Sequence, residues 1–319
     1  MVQSNQNLPP QQPAISVIMP CYNAALVIEK TIEDLFQQTF NAFELIIVDD
    51  GSTDDSLLKL EHLSKRYPEI RIFSQFNQGP GPARNQGIQV AQADLIAFLD
   101  SDDSWHPEFL AKLYQSLQDN PDCALAYCGW QNIGLAANQC QPYIPPNYEE
   151  HDKLATLLRS CPWPIHAALT RKTAIDKVNG FNQNWLTAED FDMWLRIAAF
   201  SKIVRVPEVL AFYHHQQGEQ ISKNRARAVL NHWGVQKAFI KDFPETVKLL
   251  GKSKIDHITD GQLLHHAYDC YWKNDLQGAH HLFRKSLKLG SFSIKDLKYL
   301  LPTLLPYNIY RSLIEKLRQ

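Results

Sequence analysis

Four times in its first 120 residues the chain passes from a short apolar segment into a polar turn and then into an amphipathic helical pattern. Residues 15–19 lead into Pro20-Cys21-Tyr22-Asn23, then into a pattern with Ile28, Ile32, Leu35 and Phe36 on one face. Residues 43–48 end in Asp49-Asp50-Gly51-Ser52-Thr53-Asp54, and Leu57, Leu60 and Leu63 follow in helical register. Residues 70–73 precede Gly79-Pro-Gly-Pro-Ala-Arg84-Asn85, with proline at the start of a third helix. Residues 95–99 end in Asp100-Ser101-Asp102-Asp103, ahead of a helix from near Pro107. Short buried strands alternating with helices predict right-handed crossovers, a mainly parallel sheet and helices on both faces. Ligands of such α/β sheets bind at the carboxyl ends of the strands, where these polar turns lie.

The turn at 100–103 places three carboxylates within four residues. Core packing gives no reason for this, and the like charges repel unless a cation sits among them; Mg²⁺ or Mn²⁺ prefers such oxygen ligands. A second reading needs no ligand: a surface turn in which Asp103 or Ser104 caps the helix from Pro107. These residues alone leave both readings open.

At 319 residues, 45% apolar and 21% charged, the chain has room for one large α/β domain or two smaller ones. Its net charge of −2 gives no basic field for nucleic acid. Six scattered cysteines without a C-x-x-C pair fit reduced thiols better than a disulfide framework or zinc site. Residues 1–13, rich in Gln, Asn and Pro, read as a disordered tail, with neither the basic nor the apolar region of a signal peptide. No apolar run approaches the roughly 20 residues of a membrane-spanning helix. The expectation is a cytoplasmic protein, at most peripheral at the inner membrane face.

The segments Ser16-Val-Ile-Met-Pro20-Cys-Tyr22-Asn23, Val48-Asp49-Asp50-Gly51-Ser52-Thr53-Asp54, Asn77-Gln-Gly79 with Ala83-Arg84-Asn85-Gln-Gly87, and Phe98-Leu-Asp100-Ser-Asp102-Asp103 resemble, in this order and spacing, the nucleotide-binding half of family 2 glycosyltransferases. The resemblance covers about 1–215. It implies the GT-A fold, a mixed, mainly parallel Rossmann-like sheet with helices on both faces, over 14–222, and leaves 223–319 as a C-terminal helical region. It further implies that Pro20 and Tyr22 line the nucleoside pocket, that Asp50 accepts a hydrogen bond from the base, and that Arg84 lies near the nucleotide. Asp100 would contact the ribose, and Asp102 would hold Mn²⁺ or Mg²⁺ bridging the diphosphate. Without the resemblance, Tyr22 and Arg84 read as a loop aromatic and an exposed helix charge.

Further along, 131–148 is polar and aperiodic, a loop beside or over a site. Trp163 suits either stacking on a sugar ring or plugging the core, and His166 reads as structural. Thr187 and Asp190 have capping-box spacing, with Asp in place of the usual Glu or Gln. The family places its catalytic base in an E-D pair followed by a helix with Leu and Arg, and Glu189-Asp190 with Leu195-Arg196 looks like that pair. Both readings can hold together, because a helix N-terminus favours the ionised carboxylate that a general base needs. Family members often carry Tyr-Arg-x-His where this chain has Tyr213-His214-His215-Gln216. Strand alternation points His214 and His215 to opposite faces, so at most one meets a metal; His215 is the preferred candidate and His214 the alternate.

Beyond residue 225 the pattern becomes helical. Residues 274–284 faintly resemble one helix of a tetratricopeptide hairpin, but one unit is not an array. From Arg284 to Gln319, eight Lys/Arg against Asp296 and Glu315 give an excess of +6 around Tyr299-Leu-Leu-Pro-Thr-Leu-Leu-Pro-Tyr307. This suits either an anionic membrane surface carrying a lipid-linked acceptor, or helices with solvated basic faces. The implied activity is metal-dependent, inverting transfer of one sugar from a nucleoside-diphosphate sugar, UDP-sugar favoured, to a saccharide or lipid-linked hydroxyl in glycan or polysaccharide assembly. No Gln-x-x-Arg-Trp follows the E-D pair, which argues against a processive synthase. The rivals are a nucleotidyltransferase and an inactive nucleotide-sugar-binding or scaffold protein.

Overall fold

The computed structural model describes residues 12–150, 152–215 and 225–318. Most of the expected N-terminal tail, and Gln216, lie outside the described residues. The chain divides into two compact units that interleave along the sequence. One comprises Met1–His151, Trp163–Gln183 and Phe200–Gln216, the other Asp152–Pro162, Asn184–Ala199 and Gln217–Gln319.

The first unit is built on eight strands: β1 (Ile15–Cys21), β2 (Phe43–Asp49), β3 (Ile70–Ser74), β4 (Leu95–Phe98), β5 (Ser104–Trp105), β6 (Cys123–Ile133), β7 (Ala168–Arg171) and β8 (Lys202–His214). Their order across the sheet is β3-β2-β1-β4-β7-β6-β8-β5. The first four pair in parallel, β7 runs antiparallel to both neighbours, β6 and β8 are parallel, and β5 closes the edge antiparallel to β8. Strands β1 and β2 are buried at every residue, as parallel strands covered on both faces must be. Helices α1 (Ile28–Leu35), α2 (Ser56–Arg66) and α3 (Pro80–Val90) are the connections between the first four strands, and α4 (Phe109–Asp119) follows β5.

Three details differ from the sequence pattern. Strand β1 runs through Pro20 to Cys21, with Pro20 opposite Val48. The two expected strands at 203–206 and 209–213 form one strand, β8. Its register against β6 slips where Cys128 faces Val206 but Gly129 faces Val209, so Pro207 falls in a bulge that spares it a ladder bond. Strand β5, too short for a periodic signal, did not show in the sequence.

Gly87 explains one motif position. A Cβ there would lie 2.4 Å from Cγ2 of Ile18, a side chain buried in β1, so α3 can lie this close to the strand only without a side chain at 87.

The second unit is helical: α5 (Lys153–Arg159), α7 (Glu189–Ala198), α8 (Arg225–Asp242), α10 (Lys252–Ile258), α11 (Asp260–Trp272), α12 (Leu276–Leu289), α13 (Leu297–Leu300) and α14 (Tyr307–Leu317) are its main elements; the short α6 (Lys172–Lys177) belongs to the first unit and α9 (Pro244–Lys248) to this one. Leu263, Ala267 and Cys270 of α11, Leu282 and Phe283 of α12, and Tyr310 and Ile314 of α14 form a shared apolar core. The buried Gln236 amide of α8 donates to Leu158 O (2.8 Å) and Ile258 O (3.1 Å), tying together the C-terminal ends of α5 and α10. His232 of α8 stacks flat on Phe191 of α7 at 4.1 Å. None of the six cysteines, all among the described residues, forms a disulfide. No helix among the described residues is long and apolar enough to cross a membrane.

Two outcomes follow from this packing. Gly87→Ala should lower unfolding stability by about 1–3 kcal/mol in a denaturant titration, because the fully packed Ile18 cannot move aside. Burial, assisted by the neighbouring His266, pushes the His232 pKa down to about 4. Between pH 4 and 6.5 the unfolded chain therefore binds the proton more readily than the folded one, and stability falls as the pH drops through that window. Moving from pH 7.5 to pH 5 should cost about 2 kcal/mol at this site, and His232→Phe, which keeps a ring against Phe191, should remove that part of the loss.

Candidate functional site

The acidic turn after β4 is held from below by its third carboxylate. Asp103 N donates to Asp100 O (3.1 Å), closing the turn. Asp103 Oδ1 accepts from the backbone N of His214 at the end of β8 (2.9 Å), and Oδ2 lies 3.0 Å from His166 Nδ1 in an ion pair. Both side chains are buried. Burial alone would discharge His166, but the facing charge of Asp103, with help from Asp100 and Asp102, outweighs it and raises the pKa. Trp105 Nε1 donates to His166 O (2.7 Å), and the Trp105 ring stacks on Phe109 at 4.1 Å. The reading of Asp103 or Ser104 as a cap is therefore corrected: α4 starts at Phe109 without a side-chain cap bond, and Asp103 is spent on His166 and His214.

Asp102, between these residues, is pushed up to about 7, by burial first and then by Asp103 and Asp100. Such a carboxylate is short of positive charge, and a divalent cation fits it on that ground. Among the described residues no three His, Cys, Asp or Glu side chains form a ready cluster for a metal. A cation at Asp102 would thus draw most of its ligands from diphosphate oxygens and water, the usual habit of Mg²⁺ at phosphate sites.

Arg84 and Asp100 form a pair on the other side of the turn, with Nη2 2.5 Å from Oδ1. Arg84 is only 3% exposed and lies over the Phe181 ring, 5.5 Å from its centroid, so it is no solvated helix charge. Phe181 is fixed by a reciprocal clamp: Asn85 Nδ2 donates to Phe181 O and Phe181 N donates to Asn85 Oδ1, both at 2.8 Å. The pairing of Asn85 with Phe181 escaped the sequence reading: Asn85 stood in the Arg-Asn-x-Gly motif, but its partner lies 96 residues away.

Asp50 is buried, and its carboxylate is largely occupied. Gln75 Nε2 (2.7 Å) and Gln78 N (2.9 Å) donate to Oδ1, and Gly79 N (2.7 Å) donates to Oδ2. Three donors on about four lone-pair sites leave room for about one more. The visible work of Asp50 is to hold the 75–79 loop. Pro20 is buried within β1, while the Tyr22 ring is half exposed. The loop around Tyr22 is stitched to the next strand end: Asn23 N donates to Ser52 Oγ (3.0 Å), Thr53 N to Asn23 Oδ1 (2.8 Å) and Ala24 N to Ser56 Oγ (2.8 Å).

The structure brings His214, not His215, to the acidic turn. His214 Nε2 is 2.8 Å from Ser104 Oγ, and burial, aided by Lys30 and His166, lowers its pKa against the opposing pull of Asp103, which favours the neutral imidazole. His215 Nε2 instead meets Asn132 Oδ1 at 3.0 Å and its ring lies edge-on to Tyr213.

Two other expectations are corrected. Trp163 is 1% exposed and stacked on Tyr127 at 4.5 Å, a core plug and not a sugar platform. The Thr187–Asp190 capping box does not form. Thr187 Oγ1 accepts from Asn231 Nδ2 (2.8 Å), and α7 starts after Ala188, whose φ of 75° is costly for a residue with a Cβ. Asp190 Oδ1 accepts from Phe191 N (2.7 Å), and the Cys161 thiol lies 3.8 Å from Oδ2. Glu189 is buried, and Asp192 pairs with Arg196 one turn on.

The raised Asp102 has a measurable sign. Between pH 3.8 and 7 the folded state holds this proton more tightly than the unfolded chain, so the charged carboxylate costs stability that grows with pH and is complete above 7. Without divalent cations, Asp102→Asn should stabilise the protein at pH 8, by at most about 4 kcal/mol, and the gain should vanish towards pH 4.

A family model described as "Glycosyl transferase family 2" matches residues 16–177, half of the chain. The amylovoran biosynthesis glycosyltransferase AmsB of Erwinia amylovora is 30% identical over 213 residues, 63% of this chain and 69% of that protein. The uncharacterized glycosyltransferase YibD of Escherichia coli (strain K12) is 39% identical over 117 residues, 36% of this chain and 34% of YibD. The chain thus spans about a third of the length of YibD. In fold, residues 1–349 of Staphylococcus aureus TarS in complex with UDP-GlcNAc align with 96% of this chain and 91% of that chain, with 17% identity and a TM-score of 0.63. The mannosyltransferase PcManGT of Pyrobaculum calidifontis, in complex with GDP-Man and Mn²⁺, aligns with 95% of this chain and 87% of that one, with 17% identity and a TM-score of 0.55. The mixed, mainly parallel sheet with its helices is the GT-A fold. With the family model spanning half of the chain, from β1 past the acidic turn after β4, the chain belongs to glycosyl transferase family 2.

Proposed function

We propose that this chain transfers a single glycosyl group from a nucleoside-diphosphate sugar, a UDP-sugar first, to a hydroxyl of a saccharide or lipid-linked acceptor, with inversion at the anomeric carbon. The observation that carries this reading is Asp102, held at the carboxyl end of β4 among like charges that a cation would relieve. The fold neighbours bound to UDP-GlcNAc, and to GDP-Man with Mn²⁺, support the donor class, and AmsB supports polysaccharide assembly.

In this reading the half-exposed Tyr22 ring offers a flat face to the base, and the remaining acceptor capacity of Asp50 is available to it. Arg84 holds one oxygen of Asp100, leaving the other to turn towards the ribose. Asp190, fixed by Phe191 N at the start of α7, where a helix N-terminus favours a carboxylate, takes the proton of the acceptor hydroxyl. That oxygen bonds to the anomeric carbon as the bond to the donor diphosphate breaks, and the electron pair departs with the diphosphate. Mn²⁺ or Mg²⁺ at Asp102, with neutral His214 nearby as a further ligand, would stabilise the charge on that leaving group.

Asp190→Asn should lower kcat by about 10²–10⁴-fold while leaving donor affinity within about threefold. The anomeric coupling of the product, read by NMR against that of the donor, should show inversion. Wild-type turnover by Asp190→Asn, or a retained anomer, would remove Asp190 from the role of base.

A further inference from the structure

The C-terminal helices carry a surface of their own. Helix α14 buries Tyr310 and Ile314 in the core of its unit, yet Ile309, Leu313 and Leu317, spaced i, i+4, i+8, form an exposed stripe along it. The segment just before it adds Leu301, Leu304 and Leu305, and these six side chains are between 36% and 71% exposed. Soluble surfaces rarely gather so many large aliphatic residues within 17 positions without a partner.

The charge around the stripe points to what covers it. Of its two nearby acids, Glu315 is paired with Arg311 (2.8 Å), and Asp296 accepts from Tyr268 Oη (2.6 Å) and Ser293 Oγ (2.7 Å). Arg318 is drawn inwards onto Tyr271 O at 2.5 Å. Lys295, Lys298, which lies 4.9 Å from the Tyr299 ring centroid, and Lys316 are exposed and uncompensated by these acids, so the surplus is positive in the segments that flank 299–310 on either side. Trp272, 67% exposed on the α11 end to which Arg318 ties α14, adds an aromatic of the kind that settles at a bilayer's headgroup level.

From this we infer that the 301–317 face lies on an anionic lipid bilayer, with the aliphatic stripe at the acyl boundary and the three lysines on the headgroups. A second copy of the same basic face would meet its own charge, which disfavours self-association. Lysine stems can lie along the apolar stripe while their ammonium groups reach the phosphates. This assignment stands apart from the transfer reading, since lipid binding is measured without donor or acceptor.

The test is sedimentation of the full chain with vesicles of pure phosphatidylcholine and of phosphatidylcholine doped with phosphatidylglycerol. The protein should bind only the anionic vesicles, and binding should weaken with salt. Neutralising Lys295, Lys298 and Lys316 together to Gln should lower the partition coefficient about 100-fold, at about fivefold per charge. A Leu301→Gln, Leu304→Gln, Ile309→Gln variant should lose at least about tenfold, with circular dichroism unchanged. Equal binding to neutral vesicles, no binding to either, or a wild-type dimer that the leucine variant dissociates would overturn the assignment.

Discussion

The contact on which the strand-end architecture depends is the buried ion pair between Asp103 and His166. It joins the last residue of the acidic turn to the segment that enters β7, and the same carboxylate holds the backbone of His214 at the end of β8. Three chain segments thus converge on one side chain. Removing either partner of such a pair strands a charge in the interior, typically at a cost of about 3–5 kcal/mol. The pair is stable here because each charge answers the other and His166 faces two further carboxylates nearby. The edge strand β5 and the Trp105 bond to His166 O depend on the same anchor.

Fixing the turn from below has an electrostatic consequence above. With Asp103 neutralised by His166 and Asp100 by Arg84, the uncompensated charge falls on Asp102. Asp103 is therefore taken up by the fold and Asp100 by Arg84 at one oxygen, and Asp102, partly buried between like charges, gains most from an incoming cation. The rest of the first unit keeps the surroundings rigid: Asp50 ties down the 75–79 loop, Asn85 clamps Phe181, and the bonds among Asn23, Ser52 and Thr53 join neighbouring strand ends. A preorganised charged site, built on strand ends and held by buried bonds, is what electrostatic catalysis requires.

Much of this was legible from sequence because it is local. Strands β1 to β4, their helices and the acidic turns follow from period and punctuation, and the spacing of the motifs sufficed for the family. What was not legible depends on partners far apart in the chain. Asp103 and His166 stand 63 positions apart, and each reads locally as a cap or a core histidine. Trp163 can be told from a sugar platform only once Tyr127 lies flat beneath it. Thr187 had the spacing of a cap, but Asn231 on a later helix takes its hydroxyl, and Ala188 accepts a left-handed φ instead. For His214 and His215, alternation gave no choice between the two; the pairing of β8 with β5 and β6 brings His214 to Ser104 beside the acidic turn, while His215, past the strand end, meets Asn132.

In the proposed reaction Asp102 takes a nucleoside diphosphate through a divalent cation. Calorimetric titration of UDP into the wild-type chain, with Mn²⁺ and then with EDTA, tests it most directly when repeated on Asp102→Asn. The account predicts binding that needs Mn²⁺ and weakens by at least about tenfold in the variant, the equivalent of about 1.4 kcal/mol. An affinity unchanged by EDTA and by the substitution would contradict it.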